Sequence, residues 1–188
     1  MGLWQMKKLL LFSVFFLFLT PLTAFAYETV ILKYPDGELW EPVFYRKNYM
    51  EGIAQYVPKG QTPKDWTKAV IIHSYNEYYG TASGLLDVVT AQNIKQNPTG
   101  QYKTLKRDVN DSIVGRCTKS YKNLVPQCEI LRSARGHKGV ITIHYINKNI
   151  PEFRYTYDDW YDRVKKASFY ESFFRNDRVL NKSLHLEL

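Results

Sequence analysis

Cys128-Glu129-Ile130-Leu131-Arg132-Ser133-Ala134-Arg135-Gly136-His137-Lys138-Gly139-Val140-Ile141-Thr142-Ile143-His144-Tyr145-Ile146-Asn147 holds two runs dense in apolar and β-branched residues, joined by a short turn with glycine at both ends. Runs of this kind, bounded by turn residues, read as two successive antiparallel strands, Cys128 to Arg135 and Val140 to Asn147. Side chains alternate across a strand, so Ile141, Ile143 and Tyr145 share one face while Val140, Thr142, His144 and Ile146 share the other. The first face is expected to meet the core.

Outward from this hairpin the chain keeps the same character. Tyr102 to Arg107 and Ser112 to Cys117 read as further antiparallel strands, preceded by a loop at Asn97-Pro98-Thr99-Gly100. Before the loop the period changes: Leu85, Val88, Val89 and Ile94 fall on one side of a helix capped by Ser83. Upstream, Ala69 to Asn76 is a strand by its β-branched content. Thr29 to Tyr34 and Leu39 to Arg46 flank Pro35-Asp36-Gly37, a hairpin signal, and Gly52 to Val57 suits a third strand. Thr62-Pro63-Lys64-Asp65 has the residues of a helix start, so a brief helix is expected there with Trp66 beneath the next strand.

Downstream of the hairpin, a helix is expected from Thr156 or Asp158 through Trp160, Val164, Ala167, Tyr170 and Phe174. Its acids come first and its bases last, in keeping with the helix dipole. Val179 to Leu188 is a candidate last strand. The order of strands, helix, strands, helix argues an α+β fold, an α/β/α sandwich with a mostly antiparallel sheet.

The ends and the composition bound the compartment. Lys7 and Lys8, the apolar run Leu9 to Leu19, Pro21 and Ala24-Phe25-Ala26 follow the order of a secretory signal peptide over residues 1–26, with cleavage after Ala26. The run is shorter than the roughly 20 apolar residues of a spanning helix. Removing 26 residues from 188 leaves 162, residues 27–188, a length suited to one domain, and lowers the formal net charge from +8 to +6. The expected location is the periplasm or the secreted fraction. Cys117 and Cys128 are the only cysteines, and an even count in an oxidising compartment favours a disulfide closing the Thr118 to Gln127 loop.

At Tyr56-Val57-Pro58-Lys59-Gly60-Gln61-Thr62-Pro63-Lys64-Asp65-Trp66-Thr67-Lys68-Ala69-Val70 the chain resembles the small exported bacterial proteins of the Mog1/PsbP-like group, DcrB-like proteins among them. The resemblance implies an α/β/α sandwich around an antiparallel sheet, used for binding and assembly. It carries over no catalytic residue.

Three classes of site follow from the residues. Between Lys103 and Lys138 nine cations stand against Asp108, Asp111 and Glu129, a local net of +6. Concentrated on one strand-loop-strand unit, Arg116, Lys119, Lys122, Arg132, Arg135 and Lys138 make a platform for an anionic envelope or host partner. Nucleic acid suits an exported protein poorly. A second candidate is a metal or acid/base cluster of His73, His144 and Glu77, which would suit a small secreted hydrolase. No histidine pair has zinc-ligand spacing, there is no G-x-S-x-G elbow, and no cofactor is expected. The solvated alternative to the platform is a hairpin whose lysines discourage edge pairing. The leading expectation is a non-enzymatic binding protein.

Overall fold

The computed structural model describes residues 27–35, 37–172 and 183–187; the proposed signal peptide over 1–26 lies outside them. Among the described residues, ten strands and two helices run in the order β1 (Tyr27–Lys33), β2 (Trp40–Lys47), β3 (Glu51–Pro58), β4 (Lys68–Asn76), α1 (Ala82–Gln96), β5 (Gln101–Lys106), β6 (Asp111–Thr118), β7 (Gln127–Arg135), β8 (Gly139–Asn147), α2 (Ile150–Lys166), β9 (Ser168–Ser172) and β10 (Ser183–Glu187). Seven of the strands form one sheet in the order β2-β3-β4-β8-β7-β6-β5, every neighbour antiparallel. The other three form a second sheet, β10-β1-β9, also antiparallel.

The Cys128–Asn147 stretch supplies the central hairpin, with Ile143 opposite Arg132 and Ile141 opposite Ala134. Ile130, Ile141, Ile143 and Tyr145 face α2, whose Phe153, Trp160 and Val164 complete the main core. Trp160 lies flat on Tyr145 with centroids 3.8 Å apart and meets Trp40 edge-on at 5.5 Å. On the opposite face α1 packs Leu86 against Val114 and Leu131, and Ala82 and Leu85 against Val140. Both faces of the central hairpin are therefore covered, so its strands are buried almost end to end. A helix on each face of an antiparallel sheet is the expected α+β architecture.

Several local expectations are corrected. The Pro35 to Gly37 turn forms, with Glu38 N–H bonded to Pro35 O at 3.3 Å and Gly37 at φ +82°. Yet it passes the chain from the small sheet to the large one, because β1 pairs with β9 and β10 and not with β2. No helix follows Thr62, although its Oγ1 accepts from Asp65 N–H as a cap would. The few residues before β4 cannot repay helix nucleation. Trp66 is half-buried at the surface beneath the Lys148 ammonium, 3.6 Å from its ring centre.

Helix α1 is capped by Thr81, whose Oγ1 accepts from Gly84 N–H at 2.9 Å, and not by Ser83. That phase turns Ala82, Leu85, Leu86 and Val89 inward and leaves Val88 and Ile94 exposed. Helix α2 begins earlier than expected, at an Asn149 cap followed by Pro151 and Glu152, and ends at Ala167. Tyr170 then belongs to β9, and Phe174 lies outside the described residues. Among the described residues no helix is long and apolar enough to cross a membrane.

Candidate functional site

Period-two alternation sorts the polar residues of the large sheet by face. On the α1 side, strand by strand, stand Glu51 of β3, His73 and Tyr75 of β4, Thr142 and His144 of β8, Glu129 of β7 and Arg116 of β6. Arg116 is directly opposite Glu129, Thr142 directly opposite His73, and Glu51 directly opposite Tyr75. The remaining contacts are diagonal. His144 Nδ1 lies 2.5 Å from Glu129 Oε1, His73 Nε2 lies 3.0 Å from Glu51 Oε2, and Arg46 Nη2 lies 2.6 Å from Glu51 Oε1. Read outward from the β4–β8 seam, both halves give histidine, glutamate, arginine: His73-Glu51-Arg46 one way, His144-Glu129-Arg116 the other.

The two halves differ in burial. Glu129 and Arg116 retain only 2% and 10% of their side-chain exposure, whereas Glu51 and Arg46 retain 30% and 62%. Burial alone would raise the Glu129 carboxyl, but the bond from His144 and the Arg116 charge outweigh it and hold the group below its ordinary 4.5. A carboxylate can only accept, so His144 Nδ1 carries the hydrogen that faces Glu129, and Nε2 lies 3.1 Å from Thr142 Oγ1. His73 is pushed below its ordinary 6.5 by burial, opposed by the bond to Glu51. Its ring stacks on Tyr75, centroids 4.1 Å apart.

His73 and His144 are thus brought to one face of adjacent strands. Glu77 is not their partner. It ends the β4 segment at φ +55° and accepts from the Tyr49 hydroxyl. Glu51 and Glu129 hold the histidines instead. Thr142, His144 and Glu129 have the connectivity of a hydroxyl, imidazole and carboxylate triad, but Thr142 is fully buried, so its hydroxyl is closed to a substrate. Among the described residues no group of three or more His, Cys, Asp or Glu side chains could hold a metal ion.

The expected basic platform is divided by burial, a correction to the idea of one continuous face. Arg132 is 7% exposed; its Nη1 donates to the carbonyls of Val164 at 2.9 Å and Ala167 at 2.8 Å, and its Nε to Asp111 at 2.8 Å. It closes the C-terminal end of α2, where the dipole favours a cation. Arg135 donates to Tyr78 O at 2.8 Å and to Gly80 O. Arg116 is ion-paired with Glu129. Lys138 is half-buried in the β7–β8 turn, whose N–H groups at His137 and Lys138 donate to Glu28 of β1. Positions on the interior strands β6 and β7 set Arg116, Arg132 and Arg135 against protein groups, which a charge count along the chain does not register.

Lys119 and Lys122 remain exposed, on the β6–β7 connection. Cys117 and Cys128 are directly opposite in the β6–β7 register and form the disulfide at its base. A second stitch joins the loop to the end of α1. Asn97 Nδ2 donates to Lys119 O at 3.3 Å, Thr99 Oγ1 to Asn97 Oδ1 at 2.6 Å, and Lys119 N–H to Thr99 Oγ1 at 3.0 Å. Tyr121 and Leu124 bridge across the tip, where Lys122 adopts φ +51° and its ammonium sits 5.3 Å from the Tyr121 ring centre. Leu124 and Val125 are 46% and 51% exposed beside these lysines.

Glu51 and Glu129 escaped the sequence reading, although a lone acid between Cys128 and Ile130 in an apolar run signals a buried charge that needs partners. Comparison with protein-family models, with curated proteins and with solved structures finds no match to this chain.

Proposed function

We propose that this chain is an exported, non-enzymatic binding protein of the bacterial envelope or secreted fraction, and that it contacts an anionic partner through the exposed part of its disulfide-closed β6–β7 loop. One observation carries the reading: Lys119 and Lys122 have no carboxylate partner among the described residues, on a loop whose shape is held by a disulfide and by Asn97 and Thr99. A pre-shaped loop loses little backbone freedom on binding. Exposed Leu124 and Val125 add apolar contact to the charge.

Export is supported by the order of features over residues 1–26 and by the disulfide, which persists in oxidising compartments. The helix-sheet-helix layering and the 56–70 segment support a Mog1/PsbP-like scaffold, on which binding and not catalysis is the expected use. The test is retention on an immobilised polyanion as salt rises. The double variant K119Q/K122Q is expected to elute at clearly lower salt, while K59Q/K64Q, an equal charge change at exposed lysines outside the loop, leaves elution near wild type. Equal effects from both pairs would reduce the binding to net charge and sink the loop as contact surface.

A small secreted hydrolase with a histidine and carboxylate site is the second reading, favoured by the part-exposed pair in which His73 Nε2 lies 3.0 Å from Glu51 Oε2. Ester hydrolysis by the folded protein, lost in H73N, would support it; no hydrolysis rejects it.

A further inference from the structure

Beside the β6–β7 loop lies a cleft of about 310 Å³, within the size range of small-molecule sites. The end of α1 forms one wall with Asn93, Gln96 and Asn97, the loop forms the other with Asn123, Leu124, Val125 and Gln127, and Arg116 and Thr118 line it from β6. Asn97 is engaged in the stitch described above. The other four carboxamides, of Asn93, Gln96, Asn123 and Gln127, make no side-chain hydrogen bond within the described residues. Each offers one acceptor and two donors.

We infer that this cleft is a saccharide subsite and that the anionic partner is an acidic glycan; the inference rests on the loop as contact surface. The chemistry is specific to that class. Carboxamides pair donor and acceptor with vicinal hydroxyls, which a sugar presents along its length and an acidic peptide does not. Leu124 and Val125 supply the apolar surface that meets the C–H faces of a pyranose. Arg116 also lines a second cleft of about 440 Å³, together with Tyr102 and Tyr157. Lys119 and Lys122 then meet the carboxylates of neighbouring residues on the glycan. Because the disulfide and the Asn97–Thr99–Lys119 bonds hold the two walls in place, the ligand does not have to organise the cleft.

The experiment titrates the protein with trigalacturonate, and with maltotriose as a neutral sugar of the same length, following side-chain carboxamide resonances by NMR. Saturable shifts at Asn93, Gln96 and Asn123 with trigalacturonate, and weaker shifts at the same groups with maltotriose, are expected. Q96A/N123A should weaken both sugars about tenfold, the loss of about two neutral hydrogen bonds. Both positions are exposed and unbonded, so folding should be unaffected. If trigalacturonate shifts only Lys119 and Lys122 and maltotriose shifts nothing, the subsite falls while the loop contact survives. Should K119Q/K122Q leave trigalacturonate affinity intact while Q96A/N123A abolishes it, the subsite stands and the loop contact falls. No shift with either sugar overturns the inference, and polyanion elution then judges the loop separately.

Discussion

His144 Nδ1 lies 2.5 Å from Glu129 Oε1 across the diagonal of β7 and β8, and the same diagonal, repeated on β4 and β3, sets His73 against Glu51 at 3.0 Å. The two contacts are chemically alike and differ in their access to water. Glu129 is closed in by Arg116, β8 and α1, whereas Glu51 stands beside an edge strand in solvent.

Removing one charge should therefore cost different amounts in the two halves. Glu129→Gln strands the Arg116 guanidinium in a buried site and is expected to cost about 3 kcal/mol, the low end for breaking a buried pair. Glu51→Gln breaks a pair in contact with water and should cost about 1 kcal/mol or less. Urea unfolding midpoints check this, and equal losses would refute the difference in burial.

Acid should unfold the protein in two stages. Burial holds the folded His73 pKa below 6.5, so the unfolded chain takes up that proton first and stability declines as pH falls through 6.5 toward the folded value. For Glu129, the His144 bond and Arg116 outweigh burial and keep the carboxyl below 4.5; its contribution is complete above 4.5 and disappears as pH falls through the folded value. Asp111 behaves likewise: burial would raise it, but Arg132 and Lys106 hold it below 3.8. Melting temperature measured from neutral to acid pH should show both stages, and H73N should remove only the upper one.

Arg132→Leu is expected to destabilise by about 3 kcal/mol, because the carbonyls of Val164 and Ala167 lose their donor and Asp111 loses one of its two cations. Hydrogen exchange should accelerate first in the last turn of α2 and in β9. Uniform acceleration across the large sheet would contradict a local closing role.

Gly136→Ala tests how the small sheet is tied to the large one. A Cβ at that position would lie 2.1 Å from Glu28 Oε1, the atom that accepts from His137 N–H. The carboxylate must shift, with a cost of about 1–3 kcal/mol. Faster exchange at His137, Lys138 and β1 is the expected sign; unchanged protection there would show that Glu28 does not tie β1 to the turn.

Replacing both cysteines by serine should cost about 3 kcal/mol through the freed unfolded chain. Cross-strand pairing on both sides of Cys117 and Cys128 keeps the ladder in place, so far-UV circular dichroism should be unchanged while polyanion retention weakens. Unaltered retention would show that the disulfide is not needed to shape the loop.

Strand density and turn chemistry made the four strands from Tyr102 to Asn147 legible, since each is a short run with its own punctuation. Partner choice was not legible at Pro35-Asp36-Gly37: a tight turn dictates a change of direction, and whether the flanking strands pair depends on which sheet buries their apolar faces. Asn149-Ile150-Pro151-Glu152 carries the signature of a helix start, and the first six to eight residues of α2 lie ahead of the start expected at Thr156 or Asp158.

From residues alone came the α+β class, the antiparallel central hairpin and the pairing of Cys117 with Cys128, all consequences of local periodicity and chemistry. Only the tertiary structure decided that Glu51 and Glu129 hold the histidines and that Arg116, Arg132 and Arg135 turn inward while Lys119 and Lys122 stay in solvent. Sequence records a residue's charge, but burial sets what that charge must do: a guanidinium removed from water has to find carbonyls and carboxylates inside the protein, and one left in water is free for a partner.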